Sequence, residues 1–538
     1  MINKQLIPKR HEFSRKSSKS LFTASLHPPN RSGFPRSLNR KIPATMATQH
    51  PDHASKPYWH NKEYISTQFE AEEAYRSFSE IGVTEYKWDW EGKLVDESVV
   101  ERFFGEHFDY FSKFPLGEKK FLTFRLPNPR VETEFRLIRA FINMASAASV
   151  AKHFNFSVPP LFEVILPLTE TAEEMLSLQE AFEEIHHLKH PLFKMNGFLT
   201  NLRVIPLFER VPTFISSGKI LEKYLYLYSK RFNKKPPYMR PYVARSDPAL
   251  NSGIVPTVLA IKIALSHYKD LAKKEKIPLY PIIGAGSLPF RGGLNPNLVK
   301  DFAKEYKGIR TVTIQSAFRY DYPLEDVKSA IKYLENKLPR SEAESVSKKE
   351  EQNLISLIKK SEGYYKKVIE QIAPTINHIA LSVPKRRERF QHIGLFGYSR
   401  GEGSVTLPRA ISFTCSLYSI GIPPEFIGTG RTLAYARKTN QIALFEKYYV
   451  NFKKEMIEAG RFLNKDNLEI LAKTSDAWQE VSENIGIIED YIGVSLGPKS
   501  ESDQKHNLIT EKILKGMKTK KISLQSIKQA AVLRKSLG

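Results

Sequence analysis

The chain has 538 residues, of which 41% are hydrophobic, including 33 Phe and 24 Tyr, so it can bury a large core and global disorder is excluded. A single cysteine, Cys415, excludes an internal disulfide scaffold and a multi-cysteine zinc site, and it favours a reducing compartment such as the cytoplasm. The net charge of +24 points towards nucleic acid or an anionic membrane, but residues 1–45 carry +9 and residues 499–538 carry +7, so most of the excess lies at the two ends.

Residues 1–45 are rich in Ser, Arg, Lys and Pro and contain one acidic residue. They have no apolar segment of the kind found in a secretory signal, and the apolar runs elsewhere are shorter than the ~20 residues that a membrane-spanning helix needs. Their composition loosely resembles an organellar transit peptide. We favour a disordered basic extension, or an upstream start codon with the folded protein beginning near Met46.

Between residues 80 and 430, short β-rich segments alternate with amphipathic helical patterns. The strand-like segments are 83–90, 120–126, 161–168, 202–208, 238–244, 279–285 and 310–318, and the segment PEFIGTG at 424–430 is the candidate for an eighth strand. Apolar residues at i, i+3 and i+4 predict helices that include 97–114, 132–154 and 218–232. Eight such units predict an α/β fold, a (β/α)₈ TIM barrel with additional helices.

The rest of the chain reads as helical. Residues 46–498 are expected to form the barrel domain, with a charged helical insertion at about 339–373 that we interpret as a solvated or subunit-contacting arm. After residue 431 the pattern stays helical, which gives a helix-rich C-terminal part. Residues 499–538 are predicted to be a basic helical tail that packs on the barrel.

Charged or polar residues follow every predicted strand, and active sites of such barrels lie at the carboxyl ends of the strands. Singly, each position is explained by the polarity of loops. When several arginines and several carboxylates lie on one rim, however, like charges repel each other unless a bound ligand or ion compensates them. The set therefore predicts an anionic ligand together with a metal ion. The set is Asp89, Glu91, Arg125, Glu170, Glu209, Arg245, Asp247, Arg291, Gln315 and Arg319.

The segment GAGSLPFRGG (284–293) places four glycines and Arg291 directly after a predicted strand. Glycines let a backbone approach a ligand closely, and a guanidinium binds phosphate or carboxylate through parallel hydrogen bonds, so we interpret the segment as an anion-binding loop. It is not a dinucleotide fingerprint, because Pro289 occupies the position of the third glycine. A second pair, Arg400 and Arg409, flanks a glycine-bearing loop that opens a helix, which also favours anions.

Glu209 and Asp247 are the candidate metal ligands, because they follow adjacent predicted strands. Magnesium keeps several waters and usually takes one or two protein carboxylates together with substrate oxygens. Two carboxylates therefore suffice for Mg²⁺.

Several long segments resemble phosphoenolpyruvate carboxylase, specifically its shorter archaeal-type branch. They are TQHPDHASKPYW (48–59), YKWDWEGKLVDE (86–97), FRLPNPRVETEFRL (124–137), GAGSLPFRGGLNP (284–296), TVTIQSAFRYDY (311–322) and LPRAISFTCSLYSIGIPPEFIGTGR (407–431). The resemblance extends from about Met46 to Gly538 and covers none of residues 1–45.

The resemblance implies roles for individual residues. His50 is similar to the catalytic histidine of the longer, bacterial and plant type, Glu209 and Asp247 to its metal ligands, and Arg319 to the arginine on the bicarbonate side. Arg400 and Arg409 are similar to two substrate arginines, with Arg400 also catalytic, and we add Arg125 and Arg291 to the substrate-binding set.

Three features separate this chain from the longer type. Leu250 stands where the longer type has a lysine, and the glycine loop keeps one arginine of two. The ending RKSLG is only weakly similar, and it implies that Gly538 folds back to the site.

The resemblance further implies conversion of phosphoenolpyruvate and bicarbonate into oxaloacetate and phosphate through carboxyphosphate and a metal-stabilised enolate. Mg²⁺ or Mn²⁺, a homotetramer and a cytoplasmic location are expected, without nucleic acid or membrane as partner. One alternative is another Mg²⁺-dependent barrel enzyme acting on phosphoenolpyruvate or a keto acid, although the Lys-Cys-Gly-His loop of such lyases is absent from the sequence. The other is a basic scaffold that binds nucleic acid, for which the sequence has no recognised motif.

Overall fold

A computed structural model describes residues 41–538, apart from 133, 188, 191–192, 195–198, 200, 389–404 and 520. The described residues belong to one compact unit. None of the helices within these residues is long and apolar enough to cross a bilayer.

Eight parallel strands close into a barrel in which each strand pairs with the next along the chain and the last pairs with the first. The fold-class prediction is therefore confirmed. The barrel strands are β1 (Thr45–Thr48), β2 (Glu85–Asp89), β3 (Phe121–Arg125), β4 (Glu163–Leu166), β5 (Arg203–Phe208), β6 (Tyr242–Ala244), β7 (Ile282–Gly284) and β8 (Thr311–Ile314). A two-stranded antiparallel ribbon, Lys189–His190 with Phe193–Lys194, lies between β4 and β5 in the chain.

The seven strands predicted between residues 83 and 318 are present, but the prediction of the eighth at 424–430 was wrong. That segment forms a 3₁₀ turn at Pro424–Phe426 and the start of a helix, because Gly428 has a left-handed φ of 73° that breaks an extended strand. The eighth strand is β1, whose Thr45 aligns with Val312 and whose Met46 aligns with Glu85. Its four residues are too few to show an alternating pattern.

Alternation along each strand divides the barrel interior from the surrounding helices. On β2, Tyr86 and Trp88 pack in the large core between barrel and helices, whereas Lys87 and Asp89 line a cavity inside the barrel mouth. Inside the barrel, a small apolar layer consists of Met46, Ile165, Ile205, Leu207, Tyr242 and Ile282. A buried ion cluster around Arg240 lies at the amino ends of the strands.

Helices surround the barrel and continue to the end of the chain. The helices up to β8 are α1 (Glu70–Arg76), α2 (Val99–Glu106), α3 (Phe108–Lys113), α4 (Glu134–His153), α5 (Ala172–His186), α6 (Val211–Phe232), α7 (Ser246–Ser252), α8 (Ile254–Glu275) and α9 (Val299–Glu305). Those after β8 are α10 (Ser316–Tyr320), α11 (Leu324–Lys337), α12 (Lys348–Ala380), α13 (Ala410–Ser419), α14 (Thr429–Lys438), α15 (Ile442–Tyr448), α16 (Phe452–Gly460), α17 (Lys465–Ala472), α18 (Asp476–Ile492), α19 (Glu501–Lys518) and α20 (Leu524–Leu533).

The predicted insertion corresponds to α12, which has 33 residues and starts with a capping box between Ser347 and Glu350. This helix is not solvated on all sides. Buried residues such as Leu354, Leu357 and Ile376 lie along it, and it packs against α8, α13, α14 and α18. Its charged residues occupy the opposite face, which explains why the sequence resembled a solvated arm.

The ion cluster joins four strands or their approaches, at the amino ends of β2, β4, β6 and β8. Arg240, just before β6, donates from Nη1 to Glu163 Oε2 (2.7 Å) and from Nη2 to Glu85 Oε2 (2.6 Å), and Nη2 also contacts Thr311 Oγ1 at 3.2 Å. All these groups are buried. Since loss of the guanidinium would leave two buried carboxylates close together, the cluster fixes this end of the barrel.

Replacement of Arg240 by Met is expected to lower the free energy of unfolding by about 3–5 kcal/mol, because two carboxylates lose their shared counter-ion. Urea unfolding followed by circular dichroism measures this loss. Arg231→Met is the control, since Arg231 is 44% exposed and pairs with Glu180 and Glu183 at the surface. Equal loss of stability in both variants would contradict the role given to the cluster.

Candidate active site

A cavity of about 510 Å³ opens at the carboxyl ends of the barrel strands. It is lined by most of the residues that the sequence singled out: His50, Asp89, Arg125, Glu209, Asp247, Arg291, Gln315 and Arg409. The strands deliver these side chains from distant parts of the chain to one concave surface. The spatial convergence expected from the strand-end rule is therefore present.

His50 lies two residues beyond β1 and faces this cavity. Its Nδ1 is 3.0 Å from Thr48 Oγ1, so Nε2 is the nitrogen available to a ligand. Burial lowers the pKa of His50 well below 6.5, and the charges of Lys87 and Arg125 lower it further, while Asp89 opposes them. The imidazole is therefore neutral near pH 7 and can accept a proton.

Arg125 occupies the end of β3 between two carboxylates. It donates from Nε to Asp89 and pairs through Nη1 with Glu91 Oε2 at 2.5 Å. Burial opposes ionisation of Asp89, but Arg125 and Lys87 outweigh it and hold the pKa of Asp89 below its usual range. Both carboxylates keep Arg125 in place on the cavity wall, where it can meet an anion.

The two candidate metal ligands face the same cavity from adjacent strands. Glu209 directly follows β5 and accepts a hydrogen bond from Leu168 N–H at 2.8 Å, while Asp247 lies in the first turn of α7, just after β6. Two cavity-facing carboxylates fit Mg²⁺, which completes its coordination with water and substrate oxygens. In the described part of the chain, no group of three or more His, Cys, Asp or Glu residues is arranged as a full metal site.

The glycine loop after β7 is compact and holds Arg291 against the cavity. Gly286 N–H donates to the Arg291 carbonyl (2.8 Å) and Leu294 N–H to the Gly286 carbonyl (2.9 Å). A Cβ on Gly286 would lie 2.8 Å from the Arg291 guanidinium, and Gly292 adopts φ of 117°, so glycine is required at both positions. Because backbone N–H groups are used within the loop, the guanidinium rather than the backbone faces the cavity.

Arg291 has more protein partners than expected. It donates from Nη1 to Asp52 Oδ2 (3.0 Å) and to the Gly538 carbonyl, from Nη2 to Gln315 Oε1 (2.5 Å), and from Nε to Ser246 Oγ (3.1 Å). These bonds account for four of the five N–H groups that a guanidinium carries. One N–H of Nη2 is left for a ligand, so the protein largely fixes the orientation of Arg291.

The expected return of the chain end is present in the structure. Apart from the contact between Gly538 and Arg291, Leu537 N–H donates to the Asp52 carbonyl at 2.7 Å. A Cβ on Gly538 would clash with the Ile411 carbonyl at 2.1 Å, so only glycine fits there. The weak similarity of the ending was therefore a correct positional guide.

Arg409 is the N-cap residue of α13 and lines the cavity together with Ala410, Ile411 and Ser412 of the first turn. The helix start predicted from the sequence is confirmed, and it points the first turn of α13 at the site. Arg400, the other member of the predicted pair, lies outside the described residues.

Four positions of the predicted strand-end set do not line the cavity, and one of them, Glu91, pairs with Arg125. Arg319, the predicted bicarbonate-side arginine, is buried in α10 and donates to Glu73 Oε1 (3.0 Å) and the Thr48 carbonyl (2.7 Å). Arg245 lies behind the glycine loop and bonds the Phe290 carbonyl at 3.0 Å. Glu170 pairs with Arg130 at the surface. Arg319 thus stabilises the end of β1 through the Thr48 carbonyl. Its position does not favour direct contact with bicarbonate.

The site residues that sequence reasoning missed include three charged ones. Asp52 is the ion-pair partner of Arg291, Arg387 lines the cavity while bound to Glu73 (2.6 Å), and Lys87 faces the cavity from β2. For Lys87 a signal was available, because inward positions on β2 follow from alternation with Tyr86 and Trp88. No local pattern identifies Asp52 or Arg387, whose partners lie far away in the sequence.

Comparisons with known proteins agree with this geometry. A family profile described as phosphoenolpyruvate carboxylase matches residues 42–538. Proteins named phosphoenolpyruvate carboxylase from Oenococcus oeni and from Metallosphaera sedula are 38% and 39% identical over 93% of this chain and 99% and 100% of theirs. The one from Methanospirillum hungatei is 38% identical over 93% of this chain and 100% of its own.

Among solved structures, the crystal structure of RipC from Yersinia pestis aligns with a TM-score of 0.29 and 11% identity over 55% of this chain and 94% of that one. The profile match and the identity over nearly the whole length of the relatives do establish the relationship: the chain belongs to the phosphoenolpyruvate carboxylase family.

Proposed function

We propose that the barrel-mouth cavity converts phosphoenolpyruvate and bicarbonate into oxaloacetate and phosphate. The observation that carries this proposal is the convergence of Arg125, Arg291 and Arg409 with two carboxylates and a neutral His50 on one cavity. Both substrates are anions, so their encounter requires cations at the site. The relatives' shared name identifies the reaction that such a cavity serves in this family.

The arginines bind and orient phosphoenolpyruvate. Arg409 and the first turn of α13 offer donors for its phosphate or carboxylate, and Arg125 offers a guanidinium held by Asp89 and Glu91. Arg291 adds one directed N–H. Because protein partners already fix Arg125 and Arg291, their donors need little reorganisation when the anion arrives.

Glu209 and Asp247 would hold Mg²⁺ or Mn²⁺ through their carboxylates. When bound, the divalent ion supplies a Lewis acid that stabilises negative charge on substrate oxygens. The protein's own part is to present both carboxylates to the cavity, with Glu209 fixed by the Leu168 N–H.

His50 serves as the base. Bicarbonate attacks the phosphorus of phosphoenolpyruvate, which gives carboxyphosphate and the enolate of pyruvate. His50 Nε2 takes the proton of the carboxyl group, so that carboxyphosphate breaks into CO₂ and phosphate, and the phosphate takes up that proton. The enolate carbon then bonds to CO₂ to form oxaloacetate. The CO₂ must stay within the cavity until this bond forms.

The proposal also includes a homotetramer, which the family resemblance supports. It includes a cytoplasmic location, which the single cysteine supports. Cys415 is buried in α13, and burial raises the pKa of its thiol, which fits a packing role. Light scattering of the purified full chain gives the assembly state directly.

The test of the function is an assay with phosphoenolpyruvate, bicarbonate and Mg²⁺, in which added malate dehydrogenase reports oxaloacetate through NADH oxidation. Oxaloacetate is expected to require both substrates, to disappear with EDTA and to return with Mg²⁺ or Mn²⁺. Samples without bicarbonate and without phosphoenolpyruvate are the controls. NADH oxidation that does not depend on bicarbonate would contradict the proposed reaction.

Substitution of Arg291 or Arg409 by Ala is expected to lower kcat/KM for phosphoenolpyruvate at least tenfold, which corresponds to about 1.4 kcal/mol or more of lost transition-state binding. Steady-state kinetics at saturating bicarbonate measure this loss. Arg130→Ala is the matched control, since Arg130 is 45% exposed and pairs with Glu170 outside the cavity. Full activity of both cavity variants would refute their role in binding.

The neutral state of His50 has a direct spectroscopic test. Because burial and nearby cations lower its pKa, His50 is expected to keep its neutral form as the pH falls through 6.5 and to gain its proton only below that value. Histidine-selective NMR labelling follows the titration, and the His50 signal is assigned by its loss in His50→Asn. An exposed histidine is the internal reference. Half-protonation of His50 at pH 6.5 or above would contradict the lowered pKa.

A further inference from the structure

Lys87 lies deep in the barrel, between two charged neighbours on the same face of β2. Glu85, two residues before it, belongs to the ion cluster of Arg240, and Asp89, two residues after it, pairs with Arg125 at the mouth. The side chain of Lys87 is fully buried, and the residue lines the cavity. Its side chain therefore forms part of the inner wall of the proposed active site.

The Lys87 ammonium has no hydrogen-bond acceptor among the residues that the structure describes. Its ion-pair partner among the described residues is Asp89 Oδ1 at 3.7 Å, and that oxygen already accepts a hydrogen bond from Arg125. Two other buried lysines differ in this respect: Lys93 donates to Glu70, and Lys262 pairs with Glu305 at 2.7 Å. Since a buried ammonium without acceptors is costly, a ligand or water in the cavity must supply them.

The neighbouring cations are already engaged by carboxylates. Arg125 is held by Asp89 and Glu91, and Arg387 by Glu73. Lys87 differs from both, because it lines the cavity while its ammonium has no hydrogen-bond partner among the described residues. An anionic oxygen of a substrate would complete its hydrogen bonding.

Lys87 and His50 lie on the same wall. Strands β1 and β2 are in register with Thr48 opposite Lys87, and His50 follows two residues later with Nδ1 directed at Thr48 Oγ1. After burial, the charge of Lys87 is the strongest influence that lowers the pKa of His50. The two side chains therefore face the same part of a bound substrate, and for His50 that part is the carboxyl group derived from bicarbonate.

We propose that Lys87 is a further catalytic residue, which donates hydrogen bonds to the carboxyl oxygens derived from bicarbonate. The inference rests on the proposed function. In the last step the enolate electron pair forms the new carbon–carbon bond and negative charge develops on the two oxygens of CO₂, where the Lys87 ammonium stabilises it. Lys87 keeps its protons throughout and forms no covalent bond.

The protonation state of Lys87 agrees with this role. Burial lowers its pKa from 10.5 to about 8, with Arg125 acting in the same direction and Asp89, Glu91 and Glu209 opposing. The ammonium form therefore still predominates at pH 7. An oxyanion within hydrogen-bond distance would favour it further.

The role predicts uncoupling when Lys87 is lost. An enolate whose CO₂ is poorly held takes a proton and ends as pyruvate, while phosphate has already been released. For Lys87→Met and Lys87→Gln, the KM for bicarbonate is expected to rise at least tenfold and the ratio of phosphate to oxaloacetate to rise from one to two or more. Lactate dehydrogenase measures the pyruvate, and calorimetry with phosphoenolpyruvate and Mg²⁺ should give a Kd within about threefold of the unmodified protein.

Lys120→Met is the matched control. Lys120 is also a largely buried lysine whose pKa burial lowers to about 8, but it donates to the Val83 carbonyl (2.7 Å) and does not line the cavity. Its substitution should leave the ratio at one and the bicarbonate KM unchanged. The comparison separates loss of a buried lysine as such from loss of this one.

Each other outcome overturns the inference. A folded Lys87→Met or Lys87→Gln variant with a ratio of one and an unchanged bicarbonate KM would remove Lys87 from the reaction. Failure of both variants to fold would assign Lys87 to the barrel core instead. If the unmodified protein makes no bicarbonate-dependent oxaloacetate, the proposed function fails first and the inference fails with it, so the two failures are distinguishable.

Discussion

The buried ion pair between Asp52 and Arg291 is the contact on which the arrangement of the site depends. Its Oδ2 to Nη1 distance is 3.0 Å, and neither side chain is more than 1% exposed. Asp52 Oδ1 also accepts from Ala317 N–H (2.8 Å), and its carbonyl accepts from Leu537 N–H. One residue thus ties the loop after β1 to the glycine loop, to α10 and to the end of the chain. Loss of either charge would leave the other buried and uncompensated.

The barrel treats its charges differently at its two ends. Arg240, Glu85 and Glu163 at one end satisfy each other and stabilise the closure of the sheet. At the other end the carboxylates and guanidiniums are also paired, but they enclose a cavity and keep a few donors turned towards it. Strand β2 contributes to both ends, since alternation places Glu85, Lys87 and Asp89 on the same side at increasing height.

A local rule was enough to predict several residues that line the cavity. Glu209 and Asp247 follow buried strands and Arg125 ends one, and the barrel brings strand ends together whatever the intervening helices do. Sequence reasoning failed where the information is tertiary. Residues 45–48 form strand β1 because they pair with both β2 and β8 and so close the barrel. Arg319 turns away from the cavity because Glu73, 246 residues earlier, binds its guanidinium. The partners of Arg291 are equally remote in the sequence. No local pattern could therefore predict that protein groups use most of its hydrogen-bond donors.

The pairing of the arginines explains why so many cations can surround a small cavity and still select a ligand. Unpaired guanidiniums would repel each other and would bind any anion in several orientations. Here carboxylates offset most of the charge and fix the planes of Arg125 and Arg291, so few donors remain and each has a set direction. A ligand must match those directions to bind. Selectivity at this site therefore depends on the hydrogen bonds that the arginines already make within the protein as much as on the donors left for the ligand.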